Sequence, residues 1–200
     1  MLTIHVVLHS PLAPERVLQA AYDFSERRAE IWPAVSGPRL IVHDRGDTWA
    51  DVTEGTRAGP VVNWERCRYD WSQPGCVTAP VTDSNVYAFP ASSWEIKATA
   101  TENGSQVEMT WMREFKPGPR GRLFGTLFRL IGKRLFTGYA KDVLTNLERI
   151  ERGHEPHEPH VAAANPSTSW AANRLDRDDP SDSGVDKYGS TRSWVSRECQ

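Results

Sequence analysis

The chain has 200 residues, 38% hydrophobic and 25% charged, a composition that suits one soluble domain with or without a tail. Its formal net charge of −2 gives no general case for a nucleic-acid partner, and none is expected. There is no run of about 18 apolar residues to span a membrane, no basic-then-apolar leader at Met1-Leu2-Thr3-Ile4-His5, and only three cysteines, so a cytoplasmic protein without a disulfide framework is predicted.

Residues 2–9 read as a first strand, with Ile4, Val6 and Leu8 alternating with Thr3, His5 and Val7. Pro14 suits a first helical turn, and Val17, Leu18, Ala21, Tyr22 and Phe24 keep helical spacing, which predicts a short helix over 14–24. A second short helix begins at Ser25-Glu26-Arg27-Arg28 and stops at Trp32-Pro33. From residue 39 the period changes to two. Strands are predicted over 39–44, 47–57, 60–71, 75–88, 92–101 and 105–115, joined by short Gly- and Pro-containing connections that argue for consecutive antiparallel pairing. Asn103-Gly104 is the strongest of these hairpin signals, because both central residues of a type I′ turn need positive φ. A long helix over 120–149 closes the body. Phe124, Phe128, Ile131, Leu135, Tyr139, Val143, Leu147 and Ile150 recur every three or four residues.

Composition changes near Ile150. Residues 151–200 carry 6 Lys+Arg against 9 Asp+Glu, with one Leu, three Val, no Ile and no Phe. Such a segment buries too little apolar surface to offset the roughly 1–2 kcal/mol per residue that ordering the backbone costs. The expected division is a folded domain over 1–150 and a disordered tail over 151–200, with Trp170 and Trp194 as isolated aromatics. The repeat His154-Glu155-Pro156-His157-Glu158-Pro159-His160 would align three imidazoles on one polyproline face, but without a fixed fourth ligand it reads as a solvated spacer. No cofactor motif and no metal site are expected. Gly132-Lys133 lacks P-loop spacing, and neither G-x-S-x-G nor H-E-x-x-H occurs.

Alternation assigns inner faces. On 92–101 Trp94, Ile96 and Ala98 share one face; on 105–115 Val107, Met109, Trp111 and Arg113 do. On 60–71 the inner face is taken as Asn63, Glu65, Cys67, Tyr69 and Trp71, because Arg66, Arg68 and Asp70 on the other face sit more cheaply in water. Cys67 and Cys76 are expected to be thiols, and candidates for neighbours across one hairpin.

The element order is strand, two short helices, six antiparallel strands and one long helix. With it come local stretches: Phe24-Ser25-Glu26-Arg27-Arg28 through Ile31-Trp32-Pro33, Tyr69-Asp70-Trp71 before Pro74-Gly75, Asp83-Ser84-Asn85, Ser93-Trp94-Glu95-Ile96, and Arg113 leading to a Gly-rich helix start. On these, residues 1–150 resemble the START-like or SRPBCC superfamily, and more closely actinobacterial proteins of the polyketide cyclase/dehydrase and lipid-transport type. The resemblance implies an α+β helix-grip fold, in which a curved sheet and a long C-terminal helix enclose an apolar cavity. The implied ligand is a lipid, polyketide or similar small hydrophobic molecule. Its expected contacts are Asn63, Cys67, Tyr69, Trp71, Trp94, Ile96, Met109, Trp111 and Arg113 from the sheet, with Phe128 and Leu135 from the helix.

Three functions follow as expectations. The first is binding, transport or sequestration of that ligand. The second is a cyclase/aromatase enzyme, in which Tyr69 and Glu65 assist proton transfer and Arg113 holds enolate charge. Glu65 suits this part only if burial raises its pKa. The third is a membrane-associated accessory role through the basic, amphipathic start of the long helix.

Overall fold

The computed structural model describes residues 1–35, 39–58 and 61–153. The His-Glu-Pro repeat, Trp170, Trp194 and the rest of the predicted tail lie outside the described residues.

Seven strands form one antiparallel sheet: β1 (Leu2–Ser10), β2 (Ile41–Arg45), β3 (Trp49–Ala58), β4 (Val61–Asp70), β5 (Cys76–Ser84), β6 (Ser93–Thr101) and β7 (Gly104–Arg113). Helices α1 (Pro14–Ala21) and α2 (Arg28–Ile31) lie between β1 and β2, and α3 (Pro119–Glu151) follows β7. The sheet order is β1-β7-β6-β5-β4-β3-β2, so five consecutive hairpins run from β2 to β7 and the first strand returns to pair with the last. Leu2 pairs with Arg113 and Ser10 with Ser105 along that seam. This is the helix-grip arrangement expected.

The predicted alternation holds on β4, β6 and β7. On β7 every second side chain from Ser105 to Arg113 is buried, and on β6 Trp94, Ile96 and Ala98 are. On β4 Cys67 and Tyr69 are fully buried, while Arg66, Arg68 and Asp70 keep water contact on the opposite face. The cost of burying three charges therefore chose the face, as expected.

Two local features differ from the sequence reading. The β6–β7 loop is Glu102-Asn103, and Asn103 has negative φ; Gly104 carries φ +133 inside the first pair of β7. A Cβ at Gly104 would lie 2.1 Å from the Ser10 carbonyl oxygen, so this glycine serves the close approach of β1 rather than the centre of a type I′ turn. Strand β5 ends at Ser84, not at residue 88. The Ser84 hydroxyl donates to the Trp64 carbonyl and accepts from the backbone N–H groups of Val86 and Tyr87. Asn85 accepts from Trp64 N–H and donates to the Val62 carbonyl. These bonds turn the chain inward and send Tyr87 beneath the sheet.

Helix α3, on the order of 50 Å long at 1.5 Å per residue, has a different phase from the one predicted between residues 130 and 136. Gly132 and Phe136 face the sheet, whereas Ile131 and Leu135 are 46% and 50% exposed. The physical reason is aromatic packing. Phe136 meets Trp111 at 4.7 Å and Phe128 at 5.6 Å between ring centroids. Gly132 lets the backbone approach Ile4, whose Cδ1 would be 3.0 Å from a Cβ there. Below this point Ala140, Val143, Leu144 and Leu147 continue the buried stripe. Leu135, expected as a ligand contact, therefore lies on the outer face of α3.

Helices α1 and α2 are held to the sheet by one buried cation. Arg28, 1% exposed, donates from Nη1 to the carbonyls of Ala20 (3.2 Å) and Ala21 (2.8 Å), the uncapped end of α1. Its Nε donates to Glu54 Oε1 on β3 at 2.7 Å, and Nη2 to the Tyr69 hydroxyl on β4 at 3.0 Å. Tyr69 in turn donates to Glu54 Oε2 at 2.7 Å, and Trp32 and Phe24 stack about the guanidinium. Burial opposes the charge on Arg28, but the Glu54 carboxylate more than offsets it and the side chain stays cationic. Removing one partner of such a pair leaves the other charge buried alone. Arg28→Met should therefore lower unfolding free energy by about 3–5 kcal/mol, read from urea denaturation; a loss below about 1 kcal/mol, the scale of a surface pair, would contradict this arrangement.

Candidate functional site

A second arginine sits on the same inner face with an incomplete set of partners. Arg113, at the end of β7, is 3% exposed. Its Nη2 lies 3.3 Å from Glu65 Oε1 on β4, its Nη1 donates to the Ser93 carbonyl at 3.3 Å, and its guanidinium lies 4.5 Å from the centre of the Tyr87 ring. Glu65 and Arg113, both singled out from sequence, thus form an ion pair across the sheet. The partners Glu114 and Asp70 weighed for Arg113 are not the ones used.

Four buried side-chain polar atoms lack any hydrogen-bond partner among the described residues. Three are here: Asn63 Oδ1, Glu65 Oε2 and Arg113 Nε. The fourth, Ser105 Oγ, is at the opposite end of β7. Each such group ordinarily costs about 1–3 kcal/mol, so a cluster of three calls for an explanation. Burial pushes the Glu65 carboxyl up; Arg113 opposes this, and Glu54, directly across the β3–β4 pair, adds to it. Burial also raises the Tyr87 hydroxyl beside Asn63 and Arg113.

Five of the side chains expected to share an apolar wall face inward together. Cys67, Ile96, Met109, Trp94 and Trp111 are all buried on the inner face of β4, β6 and β7. Phe128 projects from α3 and meets Phe115 at 5.4 Å. Glu65 points inward yet keeps 21% of its side-chain surface open, and Asn63, Phe128, Phe136 and Tyr139 are likewise only half-buried. Helix α3 packs chiefly along β1 and over α1 and α2.

Tyr69 is 0% exposed and its hydroxyl is engaged by Arg28 and Glu54, so it offers a ring face rather than a free donor. Burial, with Glu54 beside it, holds that phenol well above the usual tyrosine range. Trp71 falls just beyond the end of β4, half-buried against the core. It stacks on Tyr22 at 4.7 Å, and its Nε1 donates to the Asp47 carbonyl. Cys67 pairs with Val81, not with Cys76, and Cys76 is disulfide-bonded, so only Cys67 is a free thiol among the described residues. Among the described residues no group of three or more His, Cys, Asp and Glu side chains could hold a metal ion, and no helix is long and apolar enough to cross a membrane.

Sequence reasoning missed Arg28 and Tyr87. Arg28 had a signal: it lies four residues from both Phe24 and Trp32, in the middle of an apolar helical stripe. Tyr87 had none, because the turn at Ser84-Asn85 breaks the alternation that would have assigned its face.

The sequence profile of the family described as polyketide cyclase / dehydrase and lipid transport matches residues 1–150. The chain belongs to this family. Solved structures share the fold at low identity. TTHA0849 from Thermus thermophilus is 17% identical with a TM-score of 0.60, over 77% of this chain and 100% of that one. The Zhui aromatase/cyclase from Streptomyces sp. R1128 is 13% identical with a TM-score of 0.62, over 76% and 96%. A START superfamily protein from Mycobacterium smegmatis is 11% identical with a TM-score of 0.59, over 74% and 98%. No curated relative matches the chain.

The raised Glu65 pKa has a consequence for stability. The folded chain holds this proton more tightly than the unfolded chain, so the contribution is complete below the unfolded carboxyl range and is lost as pH rises through the folded value. The stability of the wild type relative to Glu65→Gln, from urea denaturation, should fall as pH rises above the ordinary carboxyl range. A flat or rising difference would contradict the burial of Glu65.

Proposed function

We propose that residues 1–150 bind a small hydrophobic ligand between the inner face of the sheet and α3. The ligand carries a hydroxyl, phenol or enol that meets the Arg113–Glu65–Asn63 cluster. The carrying observation is the trio of buried, unpartnered atoms at one end of an aromatic wall. Arg113 Nε–H offers a donor, while Glu65 Oε2 and Asn63 Oδ1 offer acceptors. A hydroxyl donates one hydrogen bond and can accept another, so one such group can pair with Arg113 Nε–H and with one of the two acceptors while a ring system lies against Trp94, Trp111 and Phe128. Pockets of this kind combine apolar walls with a few placed polar groups. Membership of a polyketide cyclase and lipid-transport family supports the reading.

A second reading, catalysis of a cyclase or aromatase reaction, is favoured by one observation. Glu65 combines a raised pKa with a free oxygen, next to a fixed cation. That pair would take a proton from carbon and hold the enolate oxygen that results. Glu65→Gln would then abolish turnover of a poly-β-ketone while leaving its binding within a few-fold.

The binding reading is tested by calorimetric titration with 1-naphthol and naphthalene, which differ by one hydroxyl. A hydrogen bond to a charged group contributes about 1.5–3 kcal/mol, so 1-naphthol should bind at least about tenfold more tightly. Replacing the pair on both sides, Arg113→Met with Glu65→Leu, together with Asn63→Leu removes all three partners without leaving a lone buried charge, and should bring the two affinities within about threefold. Equal affinities in the wild type, or no binding of either, would overturn the proposal.

A further inference from the structure

Five large aliphatic side chains of α3 point away from the sheet. Leu123 is 68% exposed, Leu127 42%, Leu130 77%, Ile131 46% and Leu135 50%. At about 100° per residue these positions share one stripe, about 18 Å long at 1.5 Å per residue. The helix's buried stripe lies on its other side, at Phe128, Gly132, Phe136 and Ala140. Exposed Arg122, Arg129 and Lys133 run along one flank of the outer stripe, and exposed Arg134 lies within it. None of the four forms an ion pair among the described residues, and the sequence has no Asp or Glu from Phe115 to Lys141.

We infer that this outer face of α3 docks on the surface of an anionic lipid bilayer. A second copy of the chain is a poor occupant, since it would bring like charges together. The segment 151–200 has opposite charge, with 9 acidic against 6 basic residues, but its large apolar residues are one Leu, three Val, Tyr188 and two tryptophans 24 positions apart, too scattered in sequence for a continuous cover of the aliphatic stripe. A bilayer supplies both complements. Its headgroups attract the cations, and the headgroup–acyl boundary takes the leucines of a helix lying in its plane.

The test is co-sedimentation of the full chain with vesicles of phosphatidylcholine alone, or with about 30% phosphatidylglycerol. Partitioning should be at least about tenfold stronger on the anionic vesicles at ~0.1 M salt and should fall at least about tenfold at ~0.5 M. Lys133→Glu with Arg134→Glu, and separately Leu127→Ser with Leu130→Ser, should each reduce it at least about tenfold while far-UV circular dichroism is unchanged. No partitioning onto anionic vesicles at low salt would overturn the inference. So would a leucine variant that partitions like wild type, because the attraction would then be charge alone. Amide-exchange protection of residues 123–135 in the absence of vesicles, beyond that of the rest of α3, would also overturn it by placing the tail or another copy on this face.

Discussion

The architecture depends on burying arginine on the inner face of an otherwise apolar sheet. Two arginines are placed there, and they differ in how completely they are paired. Arg28 uses four of its five N–H groups, on two helix carbonyls, a carboxylate and a phenol. Its carboxylate partner is bonded on both oxygens. This set joins the end of α1 and the start of α2 to β3 and β4, and it leaves no buried side-chain nitrogen or oxygen of the cluster without a partner. Arg113 reaches the Ser93 carbonyl and one Glu65 carboxylate oxygen through its terminal nitrogens and lies beside Tyr87, and Nε, Glu65 Oε2 and Asn63 Oδ1 stay unpaired. The saturated cluster is structural. The unsaturated one is where a ligand has something to gain.

Much of this was legible in the sequence, and the limits of legibility have physical causes. Period-two alternation assigned the inner faces of β4, β6 and β7 because each strand has one wet side. It therefore brought Glu65 and Arg113 onto one surface without knowledge of their pairing. The phase of α3 was harder, because this helix has aliphatic residues on both sides between 123 and 136. Spacing alone accepts Ile131 and Leu135 as readily as Gly132 and Phe136. What decided the matter was the meeting of Phe136 with Trp111, a contact between residues remote in sequence. Trp71 continued the β4 alternation on paper, but the strand ends at Asp70 and the indole turns to Tyr22. The expectation of Tyr69 as a free donor failed for a related reason. Its partner Arg28 comes from a helix whose position no strand pattern encodes.

Fold and family leave the chemistry open, since one cavity-forming scaffold serves carriers and enzymes alike. Two features of this chain bear on the question, the polar end of the wall and the outer stripe of α3. They lie on opposite sides of the same helix. The first calls for a ligand with a hydroxyl-like group on an apolar body, and the second for an anionic surface. Glu65 connects the binding reading with the catalytic one. A carboxyl with a raised pKa beside a fixed guanidinium can hold a hydroxyl in either case, and only turnover separates the two.

The central claim is that a ligand reaches the Arg113–Glu65 end of the wall. The most direct measurement is a two-dimensional nitrogen–proton NMR spectrum of the full chain with and without 1-naphthol, following the Arg113 Nε–H and the indole N–H groups. The account predicts that Arg113 Nε–H, Trp94 and Trp111 shift together and saturably, while Trp49 and Trp71 do not move. An unchanged Arg113 signal, with shifts confined to Trp49 and Trp71 or absent altogether, would contradict it.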